Sequence, residues 1–126
     1  MKTTRQSVSI VIPAYNEERH LRACLQAIAK QTIQPLEVIV VDNNSTDRTA
    51  QVAREFPFVR VVSEHRQGRV FARNAGFGAA KGEILGRIDA DIILPSTWVE
   101  HLQAFYANPL HARSAWSGMG YFDNVP

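Results

Sequence analysis

The sequence predicts an α/β fold, a mostly parallel sheet flanked by helices. Three observations carry that expectation. Short runs rich in β-branched residues alternate with segments of helical period along the whole chain. The second run, Leu36-Glu37-Val38-Ile39-Val40-Val41, is almost continuously apolar, as suits a strand buried beneath helices on both faces. Polar clusters at residues 13–18, 42–47 and 89–91 each follow such a run, so a parallel sheet gathers them at one rim.

The elements follow in order. Val8, Ile10, Val11 and Ile12 form the first strand, which Pro13 is expected to end. Leu21, Leu25 and Ile28 then recur at i, i+4 and i+7, the stripe of an amphipathic helix. Asn16 is its expected N-cap, and Glu17 and Glu18 suit its positive end. Asp42 ends the second strand, and the polar turn Asn43-Asn44-Ser45-Thr46-Asp47 leads into a short helix over residues 48–55. A third strand covers residues 58–63. Gly68 opens a helix over residues 69–80, with Lys81-Gly82 as its expected C-cap. Residues 84–88 form the fourth strand and run into Asp89-Ala90-Asp91. Ser96 is placed to cap a helix carrying Trp98, Leu102 and Phe105, and residues 114–121 read as a fifth strand.

Composition bounds the function. The 126 residues suit one domain, and no repeat or linker divides them. Fourteen Lys and Arg against twelve Asp and Glu leave a net charge of +2, too small an excess for a nucleic-acid-binding surface. A single cysteine, Cys24, excludes an internal disulfide and any multi-cysteine metal site. No apolar stretch approaches the roughly 18 residues of a membrane span, so a cytoplasmic chain without a membrane segment is expected.

Asp89-Ala90-Asp91 is the sharpest chemical feature. Two carboxylates one residue apart at a strand end can diverge, one toward a divalent cation and one toward ligand hydroxyls. A solvated acidic turn is the bland alternative for any isolated D-x-D. Asp42 suits either a hydrogen bond to a base or sugar, or local capping. Tyr15 suits stacking on a planar ring, or ordinary amphipathic packing. Arg66, Arg69 and Arg73 form a basic set, the latter two at i and i+4, that can neutralise a diphosphate near a helix N-terminus or remain a solvated face. Other chemistries fail. Asp47 stands where a calcium loop needs glycine, and Lys81 stands where the dinucleotide fingerprint needs a small residue. The four histidines are too dispersed for a local zinc motif, and Cys24 reads as a small buried hydrophobe.

Four ordered blocks now resemble one family. Val8-Ser9-Ile10-Val11-Ile12-Pro13-Ala14-Tyr15-Asn16-Glu17-Glu18 is similar to the opening of the family 2 inverting nucleotide-sugar glycosyltransferases of GT-A fold. So is Val40-Val41-Asp42-Asn43-Asn44-Ser45-Thr46-Asp47. The stretch Gly68-Arg69-Val70-Phe71-Ala72-Arg73-Asn74-Ala75-Gly76, with Ala80-Lys81-Gly82-Glu83, resembles the third block, and Asp89-Ala90-Asp91 stands at the D-x-D.

The resemblance implies a Rossmann-like nucleotide-binding half and a donor site for a nucleoside-diphosphate sugar, most often a UDP-sugar. Tyr15 would lie near the base, with Pro13, Ala14 and Glu17 shaping the pocket. Asp42 would bond to the base edge, Arg69 or Arg73 would approach the nucleotide or its phosphates, and Asp89 would contact the ribose or sugar. Asp91 would ligate Mn2+ or Mg2+. Ile92 replaces an Asp that many relatives carry. The family's domain runs to roughly 200 residues or more. Residues 1–126 are therefore expected to be an incomplete domain without the acceptor half, and no residue matches the family's catalytic base.

Two other readings stand beside a donor domain acting on an unknown acceptor. One is a non-catalytic nucleotide-binding module. The other is an interaction domain whose polar rim merely caps helices. An open sheet edge also leads to an expected homodimer, which light scattering checks.

Overall fold

The computed structural model describes residues 5–111. The elements are β1 (Val8–Ala14), α1 (Glu18–Ala29), β2 (Glu37–Asp42), α2 (Thr49–Arg54), β3 (Val59–Ser63), α3 (Arg69–Ala79), β4 (Ile84–Arg87) and α4 (Trp98–Ala107), followed by a 3-10 turn at Pro109–His111. The expected strand over residues 114–121 lies outside the described residues. The strands pair in parallel in the order β3-β2-β1-β4. Among the described residues no helix is long and apolar enough to cross a membrane.

The two-residue period of β1 divides the core. Val8, Ile10, Ile12 and Ala14 face a cluster that includes Leu21, Cys24, Leu25 and Ile28 of α1, Val52 of α2, and Trp98, Val99 and Leu102 of α4. On the other face Val11 joins Ile39, Val41 and Ala72, placing α3 alone against β1 and β2. The sheet is therefore covered on both faces, which explains the unbroken apolar run of β2.

Several local expectations yield to tertiary contacts. Strand β1 continues through Pro13, because pairing with β4 ends at Val11 and Pro13 faces a neighbouring strand only on the β2 side. Asn16 does not cap α1. It takes a left-handed conformation, φ 53°, and its Oδ1 accepts from the Thr46 amide at 2.8 Å. The first amides of the α1 region instead donate to the β2–α2 loop, Glu17 to Thr49 Oγ1 and Glu18 to Asp47 Oδ2. Ser96 does not cap α4 either. The buried Gln31 carboxamide does so from the end of α1, accepting from the Val99 amide at 3.0 Å and donating to the Pro95 carbonyl at 2.6 Å.

Lys81-Gly82 forms no left-handed cap, since α3 ends on an extended Ala80. The pair is clamped instead to the amino ends of the strands. The Lys81 amide donates to Glu37 Oε2 at 2.6 Å, the Gly82 amide to Ser9 Oγ at 2.8 Å, and Ser9 Oγ to Glu37 Oε2 at 2.6 Å. Burial pushes the Glu37 carboxyl up, but the Ser9 hydroxyl, the Lys81 amide and the charges of Arg60 and Lys81 together hold it below its ordinary value of 4.5. A carboxylate depressed in the folded state stabilises above its unfolded pKa, and that stability is lost as pH falls through the folded value. Glu37→Gln is therefore expected to cost about 1–2 kcal/mol near neutrality. The difference from wild type should shrink below pH about 4.5, as urea denaturation at several pH values would show. An equal difference at every pH would remove the linkage.

Candidate functional site

The chain runs β1 to β2 to β3 in one direction, and then α3 carries it back to place β4 on the far side of β1. The strand order thus reverses at β1. In open parallel sheets a crevice forms beyond the carboxyl ends of the strands flanking such a reversal. A cavity of about 530 Å³ lies there.

Each wall has its own origin. Pro13, Ala14, Tyr15 and Glu17 come from the end of β1 and the turn into α1. Gly68, Arg69, Val70, Ala72 and Arg73 come from the start of α3, where the i, i+4 spacing sets both arginines on one face. Arg87, Asp89, Ala90 and Asp91 come from β4 and the residues after it, and Asn43 and Gln67 close the side between β2 and α3. The cavity therefore gathers the guanidiniums of Arg69, Arg73 and Arg87 with the carboxylates of Glu17, Asp89 and Asp91.

The charges differ in how far they are committed. Arg87 Nη1 lies 3.3 Å from Asp89 Oδ1, both side chains well exposed, so this pair is weak and breakable. Glu17 Oε1 lies 3.2 Å from His20 Nδ1. Among the described residues Arg73 donates to Asn74 Oδ1, at 3.4 Å. Arg69 and Asp91 form no ion pair among the described residues. Beneath the site, burial pushes the Cys24 thiol up to about 12, and the charges of Asp91 and Glu17 add to the effect. Cys24 therefore stays a neutral packing group.

The 43–47 turn holds the rim together. Asn44 sits at φ 64°, and its Nδ2 donates to the His65 carbonyl at 2.6 Å. Ser45 Oγ accepts from the Asn16 amide at 3.0 Å. Asp47 accepts from the Thr49 hydroxyl and amide and from the Glu18 amide. Burial raises the Asp47 carboxyl, yet these donors outweigh it and hold the group below its ordinary value. One polar turn thus stitches the β1 end to the residues before α3.

The structure brings Pro13, Ala14, Tyr15, Glu17, Arg69, Arg73, Asp89 and Asp91 to one cavity. Two other candidates stand apart from its lining. Asp42 Oδ1 accepts from the Ser45 amide at 3.1 Å, the local-capping alternative, while its neighbour Asn43 lines the cavity. Arg66 pairs with Glu64 at 3.1 Å and lies over the Phe71 ring, 4.7 Å from its centroid.

The hard oxygens of Asp89 and Asp91 suit Mn2+ or Mg2+. Among the described residues no three His, Cys, Asp or Glu side chains converge as metal ligands. That set fits a cation that keeps water and substrate phosphates in its shell rather than one in an all-protein cage.

A family model described as Glycosyl transferase family 2 matches residues 9–123. The chain belongs to glycosyl transferase family 2. It is similar to Glycosyltransferase AglE of Haloferax volcanii, 36% identical over 107 residues that cover 79% of this chain and 35% of AglE. Its fold matches that of S. aureus TarS 1-349 in complex with UDP, with TM-score 0.75, 28% identity, and coverage of 80% of this chain and 32% of that one. It also matches mannosyltransferase PcManGT from Pyrobaculum calidifontis in complex with GDP-Man and Mn2+, with TM-score 0.74, 33% identity, and coverage of 85% and 34%. The chain spans about a third of the length of these relatives. The parallel sheet of this glycosyl transferase family 2 chain is thus the GT-A arrangement that its motifs imply.

Sequence reading missed three polar wall residues of the family 2 chain, Asn43, Gln67 and Arg87. Arg87 is the last residue of β4, two positions before Asp89, and the structure sets both on the cavity wall. Asn43 follows Asp42, and only the turn geometry shows which of the two reaches the cavity.

Proposed function

We propose that this chain is the donor-binding part of a metal-dependent glycosyltransferase that takes a nucleoside-diphosphate sugar, with a UDP-sugar as the first candidate. The carrying observation is the cavity at the strand reversal, which Arg69, Arg73 and Arg87 line together with Asp89 and Asp91. The UDP held by TarS and the GDP-Man and Mn2+ held by PcManGT support the reading.

The roles follow from chemistry. The start of α3 has amides that favour an anion, and Arg69 and Arg73 add charge-assisted hydrogen bonds to a diphosphate. Tyr15, half exposed on the wall, offers a face for the base. Asp89 accepts from ribose or sugar hydroxyls once it leaves Arg87, and the freed guanidinium remains beside the phosphates. Asp91, with Asp89 near it, holds Mn2+ or Mg2+. When bound, the cation supplies positive charge that stabilises the departing nucleoside diphosphate. Transfer to an acceptor hydroxyl would invert the anomeric carbon; the acceptor and the general base are left unassigned.

The test is calorimetric titration of UDP into the purified chain, with and without Mn2+, beside a panel of other nucleoside diphosphates. Binding strengthened by the metal is the expected outcome. Absence of binding across the whole panel would sink the donor-site reading.

A further inference from the structure

The sequence motifs give Asn43 no role, yet its side chain is among the most fully bonded polar groups of the described residues. It is 4% exposed. Its Nδ2 donates to the carbonyls of Glu64 and Arg66, both at 2.8 Å, and its Oδ1 accepts from the Gly68 amide at 2.9 Å. Its own amide donates to the Ala14 carbonyl at 2.9 Å, and Gln67 Nε2 donates to the Asn43 carbonyl at 3.2 Å. A carboxamide offers two protons and an acceptor from one planar group. Here all three serve the backbone of a single turn that opens α3, while the main chain is tied to the end of β1.

We propose that Asn43 is a positioning residue of the donor site, a template that folds the 64–68 turn and so sets Gly68 and Arg69 on the cavity wall. This rests on the donor-site reading above. The function of the amide is geometric. Both carbonyls it satisfies belong to a turn without regular secondary structure, and the residue it receives from, Gly68, begins α3 at φ 139°, a conformation a side chain would resist. The other bonds of the turn, from Arg66 to Glu64 and from Asn44 to the His65 carbonyl, do not reach Gly68, so Asn43 is the side chain that ties the 64–66 backbone to the residue from which α3 and Arg69 start. Asn is required rather than Asp. An ionised carboxylate keeps the bond from Gly68 but turns a bare oxygen toward two carbonyl oxygens, whereas a protonated carboxyl restores one donation.

That asymmetry supplies the test. UDP with Mn2+ is titrated into wild type, Asn43→Asp and Asn43→Ser, from about pH 8 down to about pH 5.5. Folding is checked at each pH by circular dichroism. Asn43→Asp is expected to bind at least about tenfold more weakly than wild type at the upper end and to recover toward it at the lower end. Asn43→Ser, uncharged and too short to span both carbonyls, should show a loss that does not recover. Titratable and charged neighbours on the packed segments are Glu17 after β1, Asp42 on β2, Glu64, His65 and Arg66 on the turn, and Arg69 on α3. Wild type carries their titration, so the ratio of variant to wild type isolates position 43. Wild-type affinity at all pH values in either folded variant would overturn the positioning role alone. Should Asn43→Asp not fold, Asn43→Ser decides. Absence of nucleotide binding by the wild-type chain would instead overturn the donor-site reading, and this proposal with it.

Discussion

Asp91→Ala is expected to bind UDP in the presence of Mn2+ no more tightly than wild type binds it without metal, a loss of at least about tenfold, or ~1.4 kcal/mol. Asp91 is uncommitted among the described residues. It is exposed on the cavity wall and makes no hydrogen bond or ion pair with the described residues, whereas Asp89 is held by Arg87. Its removal therefore breaks no hydrogen bond or ion pair among the described residues, and the melting temperature should stay within about a degree or two of wild type. An uncommitted carboxylate beside Asp89, facing a cavity with three arginines, is a group available to a cation. Mn2+ and Mg2+ take few protein ligands and complete their shells with water and phosphate, so loss of one carboxylate weakens the site severely. Calorimetry with and without metal, beside a thermal melt, reads both quantities. Undiminished metal-dependent affinity in the variant would remove Asp91 from the cation's shell.

Gly76→Ala is expected to destabilise the fold by at least about 2 kcal/mol, although alanine is the better helix former by ~1 kcal/mol. A Cβ at position 76 would lie 2.2 Å from Val11 Cγ1 and 3.0 Å from Val41 Cγ2. Both valines are fully buried in central strands, and β-branched side chains have little rotamer freedom with which to yield. Helix α3 would have to lift from the sheet, carrying Arg69 and Arg73 away from the cavity, so stability and nucleotide affinity should fall together. Two controls bind the effect to this contact. Gly78→Ala, two residues on, meets nothing within 4 Å and should stabilise by about 0.5–1 kcal/mol. Val11→Ala combined with Gly76→Ala should show a favourable coupling in a double-mutant cycle by urea denaturation. Additive single effects would place the cost of Gly76→Ala elsewhere.

The expected elements were legible because strand and helix periods report burial, and burial here is simple. Val8, Ile10 and Ile12 alternate with residues of the opposite face, and Leu21, Leu25 and Ile28 lie on one stripe. Boundaries moved by one or two residues, as in α2, expected over residues 48–55 and observed at Thr49–Arg54. The site was legible for a related reason. In a parallel sheet the carboxyl ends share one rim, so residues at three strand ends group together on residue order alone.

Each miss has one physical form. Asn16 and Ser96 have the right chemistry for local N-caps, but the amides they were expected to serve are met by Thr49, Asp47 and Gln31. A local cap and a distant one satisfy the same donor, and only packing decides which is present. Asp42 and Asn43 pose the same problem one residue apart: the turn commits Asp42 to Ser45 and directs Asn43 to the cavity side. Arg66 and Arg69 look alike in sequence, yet Glu64 and Phe71 claim the first.

By itself, then, the sequence determined the α/β class, the order of elements, the family blocks and the strand ends at which chemistry gathers, because these depend on residue type and local period. Tertiary structure alone decided the strand order, the reversal at β1 that opens the cavity, the partners of the capping groups and the choice between neighbouring polar residues. Hydrogen-bond acceptors and carboxylates act over a few ångströms in space, and the groups that compete for them lie 20 to 70 positions apart in the chain, as with Asn43 and Gly68 or Gln31 and Val99.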